Sequence, residues 1–174
     1  MGLALTIAQA AGIALLLYAA WRDIAARIIP DEISIAIAAI GLAVRLSEGW
    51  MAALASVGVA VLVFIVLLLL AMRGALGGGD VKLAAALAVG FSPAATWDFI
   101  FVSVLFGGLL GVIYLAARRR DAGARRTSPA GPGQPLLRRV AAAEAWRLRR
   151  GGPLPYAIAI AIGGCLTLLT TGGA

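Results

Sequence analysis

The sequence predicts an all-α polytopic membrane protein of six transmembrane helices with its N-terminus outside. Three observations predict it. Of 174 residues, 62% are hydrophobic and 13% charged, against about 25% charged in an ordinary soluble domain. Apolar stretches recur at 3–21, 33–46, 50–72, 83–97, 99–117 and 154–171. The cations are also segregated. With six crossings, segments 22–32, 73–82 and 118–153 share one side and hold fourteen of the fifteen Lys and Arg residues. That excess marks the cytoplasmic side. The outer loops hold only Arg45, with Glu48 and Asp98.

Taken in order, residues 1–21 carry no charge. They lack the basic start of a secretory signal and read as a retained first span. Stretch 33–46 is shorter and includes Arg45, whereas 50–72 is long and rich in Val and Leu. Stretch 83–97 is interrupted by Gly90 and Pro93. A span needs roughly 20 apolar residues, and the second and fourth stretches fall short alone. Each follows directly after an acidic, polar hinge. No internal repeat is visible, so 1–174 reads as one membrane-embedded domain.

Region 118–153 differs in texture. It holds ten of the fifteen cations and opens as a Gly/Pro/Ser-rich linker. Its end, 136–150, sets Val140, Trp146 and Leu148 among arginines. That suits a short helix lying on anionic lipid headgroups, or an unstructured charged loop. Nucleic acid is not an expected partner, because clustered arginines in such a chain mark cytoplasmic loops.

There is one cysteine, Cys165, and no histidine. This excludes disulfide frameworks, Cys/His zinc sites and Cys–His nucleophilic catalysis. No metal or cofactor is implied. Chemistry falls to Asp, Glu, Lys, Ser, Thr, Tyr or Arg, and no serine stands in a motif that supports a Ser–Lys dyad.

The predicted topology sets Asp23, Asp31, Glu32 and Asp80 at the cytoplasmic border. Ionisable groups at membrane depth are costly and usually functional. Asp80 follows Gly77, Gly78 and Gly79 and opens an apolar run. It is a candidate N-cap, yet three glycines also permit close backbone approach. Asp23 sits beside Trp21 and Arg22, which suits an interfacial anchor or one half of a pair with Asp80. Two converging carboxylates share one proton, so one acts as general base on water while the other polarises a peptide carbonyl. Spacing alone leaves open whether the two meet.

Three strings carry a resemblance: "DIAARIIPDEIS", "GALGGGDVKLAAALAVG" and, more weakly, "GPLPYAIAIAIGG". The chain resembles the type IV prepilin peptidase family of intramembrane aspartic proteases, and most the short branch serving Tad/Flp-type pili. The G-x-G-D motif is Gly77, Gly78, Gly79 and Asp80, followed by Val81, Lys82 and Leu83. The upstream element is Asp23 with Pro30. The resemblance covers about 10–117 and the last span. It implies that Asp23 and Asp80 are the catalytic pair, with Gly77, Gly79, Lys82 and Pro30 shaping the site. It also implies cleavage of a short leader from pilin precursors at the cytoplasmic membrane face. Two departures stand out. Asp31 occupies a position where the family commonly has Asn. The Cys-rich zinc region of the larger bifunctional members is absent, so methyl transfer is not expected.

Asp31 reads as a cap for the following helix, its side chain turned to its own amides. Lys82 reads as an interfacial anchor or as a helper to the Asp80 anion. Pro155 and Tyr156 line a substrate groove or simply start the last helix. Two other functions compete: a cation or proton transporter built on buried acids, and an anchor subunit of a secretion or pilus platform. Oligomeric state is not indicated.

Overall fold

The computed structural model describes residues 2–121, 154 and 156–171. Every regular element among them is a helix: α1 (Gly2–Ala26), α2 (Asp31–Glu48), α3 (Trp50–Met72), α4 (Gly78–Gly90), α5 (Pro93–Asp121) and α6 (Tyr156–Thr171). Three helices are long and apolar enough to cross a membrane, namely α1, α3 and Pro93–Ala116 of α5, and α6 is a shorter apolar helix. At about 1.5 Å per residue, the 25 residues of α1 and 23 of α3 exceed the ~30 Å hydrocarbon core. The 13 residues of α4 extend only about 20 Å.

The predicted stretch 50–72 coincides with α3. The prediction for 83–97 is corrected. That run belongs to two helices: α4 stops at Gly90, and the chain from Pro93 onward is already α5. Ser92 and Pro93 cause the break. The Ser92 hydroxyl accepts from the Ala95 amide at 3.2 Å, an N-cap with proline at the first helical position. Asp98 therefore lies on the first turns of α5 rather than in a loop. The suggested surface helix at 136–150 falls outside the described residues.

Helix α4 is the buried centre. Asp80, Val81, Leu83, Ala84, Ala86, Leu87 and Ala88 are all buried, chiefly against α2 and α3, with α6 also in contact. Lipid tails are as apolar as leucine, so helices in a bilayer associate through close packing of small residues. The alanines of α4 serve that packing. Its tightest point is the crossing with α2. A Cβ on Gly41 would lie 2.5 Å from the Gly90 Cα, and one on Gly90 would lie 2.9 Å from the Gly41 Cα. Only glycine fits on both sides. Around α4 the core gathers Leu16, Ile33, Ile37, Leu83, Leu87, Phe99 and Ile160.

Polar ties close the end of the bundle remote from the N-terminus of α4. Arg45 donates from Nε to the Ser56 hydroxyl at 2.8 Å and pairs through Nη1 with Glu48, joining α2 to α3. Gln9 on α1 donates to the Leu168 carbonyl on α6 at 3.2 Å. Leu62, Ile65, Val66 and Leu69 of α3 and Phe101, Val104, Leu105 and Leu109 of α5 are exposed, an outward apolar surface suited to lipid.

Candidate active site

Helix α1 buries one stripe, Gly12, Leu16, Ala19 and Asp23. The spacing of four, three and four residues is that of a single helical face. Asp23 thus continues an apolar stripe and faces inward, 8% exposed. The helix ends one turn later. The Arg27 amide donates to the Asp23 carbonyl at 2.9 Å, and Arg27 takes a positive φ of 56°. A non-glycine residue there costs on the order of 1 kcal/mol. Arg27 Nε and Nη1 are shielded from solvent. Residues 28–30 then lead to α2, whose N-cap position is Pro30, at φ −60° and ψ 138°.

Asp80 is placed by the glycine loop. Gly77 is the N-cap residue of α4 at φ −77° and ψ 145°, so Asp80 is the third helical residue. From that position its carboxylate turns back toward Gly77, where Oδ2 lies against the place a Cβ would take. The Gly77 carbonyl in turn accepts from the amides of Asp80 at 3.1 Å and Val81 at 3.3 Å. Asp80 is therefore not the N-cap residue, the alternative that its place before an apolar run left open. Asp80 is 7% exposed, and its Oδ1 is buried with no donor among the described residues.

The three glycines are not equivalent. A Cβ on Gly77 would lie 3.0 Å from Asp80 Oδ2, and one on Gly79 would lie 3.4 Å from Ile29. One on Gly78 would meet nothing within 4 Å. Gly77 spares the carboxylate, Gly79 seats the hinge that follows α1, and Gly78 faces open space.

The two acids act on one another. The charges of Asp23 and Arg27 both bear on Asp80. Two buried carboxylates and a cation, carried by the end of α1 and the start of α4, thus lie within electrostatic reach of one another. Arg27 is a residue the sequence reading assigned nothing. No local signal marks it, because α1 stops at Ala26 and Arg27 leaves the helix at positive φ.

The remaining predicted residues lie around these groups. Asp31 does not turn back on its own amides, because α2 begins at Asp31 and has no side-chain cap bond. Its carboxylate instead accepts both 2.9 and 3.0 Å bonds from Lys82 Nζ. Lys82 on α4 therefore pairs with α2. Tyr156 opens α6 and lies against α5, where a Cβ on Gly107 would meet its ring at 2.8 Å. It lines a small cavity of about 80 Å³ that also touches Ala84, one turn beyond Asp80. Pro155 is outside the described residues.

No match was found among curated proteins or among solved structures. The family model of the type IV leader peptidases matches residues 10–115, a span that contains Asp23, Arg27, Pro30, the glycine loop and Asp80. With helices able to cross a membrane and more than half its length matched, the chain belongs to the type IV leader peptidase family.

Proposed function

We propose that this chain is an aspartic endopeptidase that removes the short leader from Flp-like prepilins, with Asp23 and Asp80 as its catalytic pair. What supports the reading is that both carboxylates are buried and that the charge of Asp23 bears on Asp80, in a chain of the leader peptidase family. Two close, buried acids hold one proton between them. The ionised carboxylate takes a proton from water as the water oxygen attacks the scissile carbonyl. The protonated partner gives its proton to the carbonyl oxygen. Collapse of the tetrahedral intermediate breaks the C–N bond and delivers a proton to the departing amine, and the pair again shares one. Arg27, whose charge reaches Asp80, offsets the negative charge that remains. Gly77, having no side chain, leaves room for the Asp80 carboxylate.

In this reading the chain crosses the bacterial inner membrane six times with its N-terminus outside. The aspartates then lie at the cytoplasmic face, beside the arginine-rich loop 118–153. The loop rests near anionic headgroups. Incubating the detergent-solubilised protein with a small Flp-like pilin precursor should give a product shorter by the leader. A precursor that stays intact with wild-type protein, across the available small pilins, would refute the reading.

A further inference from the structure

A groove of about 450 Å³ runs along the outside of the bundle between α2, α3 and α4. Ala38, Ala60 and Ala85 contribute small side chains to it, and Ile35, Val61 and Phe64 form walls exposed to the surroundings. Asp31 and Lys82 also line it, and their ion pair lies at the end of the bundle that holds Asp80. We propose that this groove receives the apolar membrane-spanning helix of the substrate. The segment to be cut then crosses the first turn of α4 to reach Asp80 and Asp23. The proposal rests on the leader peptidase reading and names the substrate subsite of that same site.

Exposed apolar surface needs no partner in lipid, and the outer faces of α3 and α5 are ordinary in that respect. The groove differs in being concave with small residues at its base, which is the surface that lets another helix approach closely. Its occupant must also be apolar along most of its length and become polar at one end, because the Asp31–Lys82 pair stands there. The two side chains are 63% and 52% exposed, so both remain open to further hydrogen bonds. A membrane-anchored precursor with a polar leader has that pattern. The ion pair sets its register.

The path from groove to carboxylate is short. Lys82 follows Asp80 by two positions, which is about 200° around the axis of α4. The groove and the acids therefore flank opposite sides of one helix end. Crossing a helix about 10 Å wide takes about three extended residues at ~3.3 Å each. The crossing point is the glycine loop, where Gly78 faces open space. The first amides of a helix have no intrahelical acceptor, and at Gly78, where a Cβ would meet nothing within 4 Å, no side chain hinders a strand from reaching them.

The test uses disulfide trapping in membranes. Cys165 is the only cysteine, so Cys165→Ala gives a clean background. Val61→Cys is added together with Asp80→Asn, which keeps the precursor uncut, and single cysteines are stepped along the precursor's apolar helix. Cross-linking from Val61 should recur every three to four precursor residues and exceed that from Leu109→Cys, on the outer face of α5. Cross-linking no stronger at Val61 than at Leu109, or Val61 cross-linked to a second copy of this chain in place of precursor, would overturn the proposal. In the Asp80-intact enzyme, Ala85→Leu should raise KM for the precursor about tenfold and keep kcat. A fall in kcat with KM kept would also count against the groove. A precursor that wild-type enzyme leaves uncut rejects the peptidase reading itself. One that is cut but not trapped rejects the groove alone.

Discussion

Replacing Gly77 with alanine places a methyl group 3.0 Å from Oδ2 of Asp80, where ordinary contact begins at 3.4 Å. The backbone does not resist, because φ −77° and ψ 145° are open to any residue. Alanine is a poorer N-cap than glycine, by up to about 1 kcal/mol of helix stability. The main effect is therefore on the carboxylate, which must recoil by about 0.4 Å to regain ordinary contact. A misplacement of 1 Å can cost about 10²-fold in rate. Scaled in proportion in free energy, 0.4 Å costs roughly sixfold. Gly77→Val, with two more methyls near the same oxygen, should cost more than alanine does. Gly58→Ala is the control, since a Cβ there meets nothing within 4 Å on α3. The assay is the initial rate of precursor cleavage by matched amounts of each variant in membranes. A Gly77→Ala enzyme at full rate, or a Gly58→Ala enzyme slowed as much, would refute this role for the glycine.

Arg27→Ala should lower kcat more than Arg27→Lys, which keeps the charge, and Arg27→Gly should stay slow although glycine relieves the positive φ. Equal rates for all three would remove Arg27 from the site. A periplasm-active reporter fused at Pro129 should be silent and one fused at Glu48 active; the reverse would put both aspartates on the outer face. Cleavage should persist in EDTA, because the proposed chemistry runs on two carboxylates and water. Activity lost with EDTA and restored by zinc would contradict it.

Much of this was legible locally. The run 50–72 matched α3 because no proline or charge interrupts it and Gly49 and Arg73 bound it. The inward aim of Asp23 follows from its place on the stripe of Gly12, Leu16 and Ala19, a periodicity any reader could count. Helix α4 was harder. Hydrophobicity alone carries the eye from Leu83 past Pro93, whereas Ser92 and Pro93 cap a new helix there. Its start was also hidden, since glycine is a poor helix former and Gly78 and Gly79 are helical only because the buried residues that follow are held in place. Partners distant in sequence were out of reach altogether. A local rule makes Asp31 a cap, while the fold brings Lys82, 51 residues away, to its carboxylate. Arg27 belongs to the same class. Its backbone conformation and its reach to Asp80 are consequences of how α1 ends against α4.

The most direct test of the central claim compares three aspartate-to-asparagine variants in one cleavage assay at matched membrane levels. Asparagine cannot exchange the shared proton, so Asp23→Asn and Asp80→Asn should each lose about 10²–10⁴-fold in rate. Asp31 makes an ion pair whose side chains are 63% and 52% exposed, a class worth about 1 kcal/mol or less, and the amide can still accept from Lys82. Asp31→Asn should therefore stay within about fivefold of wild type. An inert Asp31→Asn enzyme beside an active Asp23→Asn enzyme would contradict the account and make Asp31 the partner of Asp80.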